Sequence, residues 1–174
     1  MKNCLLIACL TALLSGCIVV PSKSSSTPAS IAQGVKAVEN SKAVTRTTTR
    51  GPLLCENIPG CPELAINWTK RQGKNDLSIH IYSPNQIELN EFTFVVDGKK
   101  YSYSTIGAAS YRQLENSNVI DSSNTVHVPS SLLTRFKNAK DIQVLLSSNQ
   151  GDISHAMLSN GTQSKAYRLF LRAY

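Results

Sequence analysis

Asp97-Gly98, set between Phe92-Thr93-Phe94-Val95-Val96 and Lys99-Lys100-Tyr101-Ser102-Tyr103, constrains the fold of this chain more than any other feature. A two-residue type I′ turn needs positive φ at both central positions, and Asp-Gly adopts it readily. Such a turn pairs Val96 with Lys99, Phe94 with Tyr101 and Phe92 with Tyr103. Side chains alternate along a strand, so all six fall on one sheet face. Val95, Lys100, the threonine and the serines take the other. Turn chemistry and aromatic spacing therefore specify the same antiparallel hairpin independently.

The period of two recurs along the chain. Leu64, Ile66 and Trp68 alternate, as do Leu77, Ile79 and Ile81, and the turn residues Gln72-Gly73-Lys74-Asn75-Asp76 join them into another hairpin. Trp68, the one tryptophan, is expected in the core. Residues 105–124 lack the pattern and read as loop, with a short strand near Val119. Thr125 to Val128 reads as a strand ended by Pro129. A short helix capped by Ser130 or Ser131 follows, with Leu132, Leu133 and Phe136 on one face. Ile142, Val144 and Leu146 then alternate, and Ser148 to Gly151 turns the chain into Ile153 to Leu158. The last segment fits a helix through Ala166, Leu169, Phe170 and Ala173, and an edge strand through Tyr167, Leu169 and Leu171. Six or seven antiparallel strands with one or two short helices make an α+β domain, with a β-sandwich as the alternative.

Upstream the composition changes. Residues 18–50 are rich in Ser, Thr, Ala and Lys and carry no aromatic residue, which is too little apolar area to offset the entropy of ordering. Apart from a weak helical pattern at Ile31, Val35 and Val38, this stretch reads as a flexible tether. Before it, Lys2 precedes an apolar run from Leu5 to Leu14. That run is about half the roughly twenty residues a membrane-spanning helix needs, and its flanks are those of a secretory signal.

The run closes on Leu14-Ser15-Gly16-Cys17, which resembles the lipobox of bacterial lipoproteins. The resemblance covers the first seventeen residues and implies cleavage before Cys17. Cys17 then carries thioether-linked diacylglycerol and an amide-linked acyl chain, and two or more chains make a stable anchor. The expected organisation is a signal at 1–16, lipidated Cys17 and tether at 17–50, and a globular domain at 51–174. Ile18 stands where an acidic residue would favour the inner membrane, so the analogy favours the periplasmic face of the outer membrane. The inner membrane and the cell surface are the alternatives.

Two cysteines remain after processing, Cys55 and Cys61. In an oxidising compartment, with Pro59-Gly60 to turn the chain between them, they read as one disulfide. A redox-active pair would want the Cys-x-x-Cys spacing, which is absent.

The net charge of +7 is unevenly placed. Residues 51–174 hold twelve Lys and Arg against ten Asp and Glu, so the domain is nearly balanced, with no arginine-rich stripe. An exported chain of that kind is not expected to bind nucleic acid.

Signals of catalysis are sparse. His80 and His127 each lie between β-branched apolar neighbours, which turns them to a polar strand face, and His155 sits in the last hairpin. No metal motif and no Gly-x-Ser-x-Gly elbow is present, and no cofactor is implied. Asp121, Asp141 and Asp152 read as turn or element-end residues. Tyr101, Tyr103, Tyr111, Phe92 and Phe94 read as core before ligand surface. The function expected is a non-enzymatic interaction or accessory role at the cell envelope. Its partners are the membrane, through the anchor, and another envelope protein or peptidoglycan. A small-ligand or lipid carrier, and an envelope-polymer hydrolase, are the alternatives.

Overall fold

The computed structural model describes residues 36–38, 46–69 and 74–174. Cys17, the signal, most of the tether and the turn residues Gln72-Gly73 lie outside the described residues.

Asp97 and Gly98 take φ of 48° and 81°, as a type I′ turn requires. They join β5 (Leu89–Val96) to β6 (Lys99–Ser104) in the register expected, Phe94 opposite Tyr101 and Phe92 opposite Tyr103. β9 (Ile142–Ser148) pairs with the other side of β5, followed by β10 (Gly151–Ser159) and the short β11 (Thr162–Gln163). This sheet runs β11-β10-β9-β5-β6 and is antiparallel throughout.

The other sheet runs β1-β2-β3-β4-β8-β7. Its strands are β1 (Lys36–Val38), β2 (Arg46–Pro52), β3 (Glu63–Thr69), β4 (Lys74–Ser83), β7 (Ser110–Gln113) and β8 (Ile120–Pro129). β3 and β4 form the expected hairpin, with Leu64 opposite Ile79 and Ile66 opposite Leu77. The two antiparallel sheets share one core and make a sandwich-like α+β fold. Phe92, Phe94, Val144 and Leu146 come from one sheet and Leu64, Ile66, Trp68, Leu77 and Ile79 from the other, all buried.

Several expectations need correction. β2 starts at Arg46, inside the stretch read as tether, and Val38 stands in a strand where a helical pattern was noted. Thr47, Thr48 and Thr49 are β-branched, and the ladder to β3 supplies the order that their polarity does not suggest. Within residues 105–124 the strand expected near Val119 is the start of β8, at Ile120, whereas β7 lies where only loop was expected. The inward side of early β8 is polar, which hides its alternation: Ser122 accepts a hydrogen bond from the Ile87 N–H, and Asn124 donates to the Leu89 carbonyl.

Two helices, α1 (Ser130–Asn138) and α2 (Lys165–Ala173), complete the core. Leu132, Leu133 and Phe136 are buried from α1, as expected. Its cap is Pro129, however, and neither serine caps it; Ser130 Oγ instead accepts from Asn75 Nδ2 at 3.2 Å. The closing segment is a helix, because Ser164 caps it by accepting from the Tyr167 N–H. Gly51 lets α2 sit directly on β2: a Cβ there would lie 2.9 Å from the Ala166 nitrogen. Phe170 reaches Trp68 at 5.8 Å and Phe136 at 6.2 Å, and Phe136 reaches Phe94 at 5.4 Å, so the helices join both sheets through aromatic contacts.

Cys55 and Cys61 form a disulfide, with Cα atoms 5.4 Å apart. Hydrogen bonds from Ile58 N–H to the Cys55 carbonyl and from Cys61 N–H to the Ile58 carbonyl fold the ring, and Gly60 takes φ of 77° within it. Closing so short a loop stabilises the fold by about 2 kcal/mol.

Candidate functional site

The outward side of the β2-β3-β4-β8-β7 ladder carries the densest polar chemistry in the domain. Alternation sends Leu77, Ile79 and Ile81 inward and Asp76, Ser78, His80 and Tyr82 outward. Neighbouring strands add Arg46, Thr48 and Arg50, then Glu63 and Asn67, then Asp121, Thr125 and His127, then Arg112. These residues pair with one another. Arg50 Nε donates to Glu63 at 2.7 Å, its Nη2 donates to the Tyr82 hydroxyl, and Tyr82 donates to the same Glu63 oxygen at 3.2 Å. His80 Nδ1 lies 2.9 Å from one oxygen of Asp121, and Arg112 Nη2 is 3.1 Å from the other. Asp76 holds Arg46 at 2.6 Å and His127 at 2.5 Å.

Burial sets the protonation of this face. It lowers the His80 pKa, and the Arg50 charge lowers it further against the opposing pull of Asp121. The imidazole is therefore neutral near pH 7, and its Nδ1–H donates to the Asp121 carboxylate. Burial likewise pushes the Tyr82 hydroxyl up to about 12, which keeps it a neutral donor. Asp121, expected at a turn, is instead a buried strand residue shared by a histidine and an arginine.

A histidine oriented by a carboxylate is half of an acid–base arrangement. Among the described residues the His80 ring makes no hydrogen bond to a hydroxyl or thiol. His127 has its own acid, Asp76, which lies four positions along β4 from His80, about 13 Å at strand rise. His155, opposite Val144 on the core-facing side of β10, belongs to the other sheet, and burial lowers its pKa. The three histidines do not converge. Among the described residues no group of three or more His, Cys, Asp and Glu is placed to hold a metal ion.

Of the aromatic residues, Phe92 and Phe94 are core, Tyr101 and Tyr103 are half-buried at the edge strand, and Tyr111 is exposed. Among the open clefts away from the polar ladder, a pair are of similar size. One, of about 700 Å³, runs beside the disulfide ring between Leu54, Asn57 and Ile58 and Ser159, Gln163 and Arg168. The other, of about 650 Å³, lies between β6 and α1 and is lined by Val96, Asp97, Lys99, Tyr101, Ser131, Thr134, Arg135 and Asn138. Comparison with family models, curated proteins and solved structures finds no match to this chain.

Sequence reasoning singled out neither Lys99 nor Arg135. A signal for Lys99 was nonetheless present, since the hairpin register puts a lysine on the apolar, core-facing side. Arg135 carries no such mark, because its relation to Tyr101 arises only when α1 docks.

Proposed function

We propose that this protein is a lipid-anchored lipoprotein of the bacterial cell envelope, whose sandwich domain is a non-enzymatic interaction or accessory module. The observation that carries the reading is Leu14-Ser15-Gly16-Cys17 behind a short apolar run. The Cys55–Cys61 disulfide supports it, because such a bond persists in an exported, oxidising setting. Acylation at Cys17 is the attachment proposed. The non-enzymatic part draws on the polar ladder, where histidines and carboxylates satisfy one another rather than converge on a cleft.

Metabolic labelling with a radioactive fatty acid is the direct test. The wild-type chain takes up label and fractionates with the outer membrane, whereas Cys17→Ser takes up none and leaves the membrane fraction. An unlabelled wild-type protein, or a Cys17→Ser form that fractionates identically, overturns the assignment.

The hydrolase reading draws on one specific observation, the His80–Asp121 pair. Under that reading His80→Gln abolishes turnover of envelope polymer while leaving the melting temperature at pH 7.5 nearly unchanged. Equal turnover by wild type and variant removes it.

A further inference from the structure

We propose that the cleft between β6 and α1 binds an acidic saccharide, a pyranose unit carrying a carboxylate or a phosphate. The inference rests on the cleft and not on the anchor, so a failure of acylation at Cys17 leaves it standing.

The hairpin register sends Lys99 and Tyr101 to the same side as Val96 and Phe94. At the edge strand, α1 covers that side. Phe136 packs on Phe94, and Arg135, one residue earlier, places its guanidinium 5.6 Å from the Tyr101 ring centroid. Lys99 Nζ lies 5.7 Å from the same centroid. Two cations thus gather at one tyrosine, near the outer limit of cation–π attraction, where the ring holds them only weakly.

Nothing among the described residues neutralises them. Arg46, Arg50 and Arg112 each meet a carboxylate, whereas Lys99 and Arg135 meet none. Asp97 lines the cleft, but one of its oxygens accepts the backbone N–H groups of Lys140 and Asp141, each at 2.9 Å. Those bonds hold its pKa below the usual carboxylate range and commit it to the turn after α1. The cleft is left with more positive than negative charge and with the unused planar fork of Arg135, which matches a carboxylate or phosphate through two parallel hydrogen bonds.

The remaining lining identifies the body of the ligand. With the two cations drawn off its ring onto the anion, Tyr101 offers a half-buried aromatic plate suited to the C–H face of a pyranose, and Ser131 and Asn138 line the same cleft with a hydroxyl and an amide. A volume of about 650 Å³ lies within the range of small-molecule sites.

Calorimetric titration of the full chain in detergent micelles tests this with four probes: glucuronate, glucose 6-phosphate, glucose and inorganic phosphate. At least one of the two acidic sugars binds saturably, which also tells the carboxylate source from the phosphate source, and that binding weakens as salt is raised. Glucose and inorganic phosphate bind at least about tenfold more weakly, and Lys99→Gln and Arg135→Gln each weaken the acidic sugar about tenfold. Lys137→Gln, on the same helix but over the Tyr174 ring, leaves affinity unchanged. Melting curves verify that the variants fold, as their exposed positions predict. Equal binding of glucose removes the anion from the proposal, and equal binding of inorganic phosphate removes the saccharide. Absence of saturable binding by either acidic sugar, or binding that Lys99→Gln and Arg135→Gln leave intact, overturns it.

Discussion

The outward face of the β2-β3-β4-β8-β7 ladder and the cleft between β6 and α1 use the same residue types to opposite effect. On the ladder, Arg50, Glu63 and Tyr82 close on one another, and Asp121 serves both His80 and Arg112. In the cleft, Tyr101 gathers Lys99 and Arg135 while Asp97 is occupied by backbone. The lesson is that polar density does not mark a binding site. The ladder spends its charges on itself and stabilises the sheet, whereas the cleft keeps two cations that meet no carboxylate among the described residues.

The largest expected effect breaks the ladder. Asp121→Ala leaves the half-buried His80 without its acceptor and costs about 2 kcal/mol, read as a lower urea midpoint with unchanged m-value. Arg112→Gln costs much less, because that side chain is 70% exposed and its pair is screened by water. Equal losses from the two substitutions would show that Asp121 acts through Arg112 and not through the buried histidine.

Acid weakens the domain next. His80 and His155 have folded-state pKa values below the ordinary 6.5, so between the two values the unfolded chain binds more protons. Their contribution is complete above about pH 6.5 and is lost as pH falls through the folded-state values. Melting temperatures between pH 7.5 and 5 therefore decline, and His80→Gln flattens part of that slope. A smaller loss, about 1 kcal/mol, is expected from Tyr82→Phe, which keeps the ring and removes the hydroxyl between Arg50 and Glu63. Chemical denaturation at pH 7.5 measures it.

Legibility in the sequence followed the locality of the cause. The Asp97-Gly98 hairpin and its register depend on neighbouring residues, and the structure has them as expected. So do the buried face of α1 and the Cys55–Cys61 bond. β2 and the first half of β8 were not legible, because their threonines, serines and asparagine give no apolar alternation. Thr49 is buried where β2 pairs with β3, and Ser122 and Asn124 sit on the inward side of β8 bonded to the Ile87 N–H and the Leu89 carbonyl. The histidines' turn to a polar face could be read from alternation, while the carboxylates they meet depend on ladder register. The β6–α1 cleft required the docking of a helix against an edge strand, which no local pattern encodes.

The smallest expected effect on stability is the most informative about the cleft. Replacing both Lys99 and Arg135 by Gln removes two cation–π contacts, each worth about 0.5–1 kcal/mol at an exposed site. It also relieves the repulsion of two positive charges gathered at one ring. The terms oppose each other at exposed positions, so the double variant should unfold within about 0.5 kcal/mol of wild type, the range of ordinary surface changes. A side-chain pair kept for stability would instead cost clearly more, and the cost would appear in the urea midpoint. Conversely, a double variant that is as stable as wild type yet no longer takes up glucuronate or glucose 6-phosphate separates binding from folding at this cleft. Substituting Arg50, Glu63, Asp76 or Asp121 on the ladder offers no such separation, because each of these charges has a partner to lose.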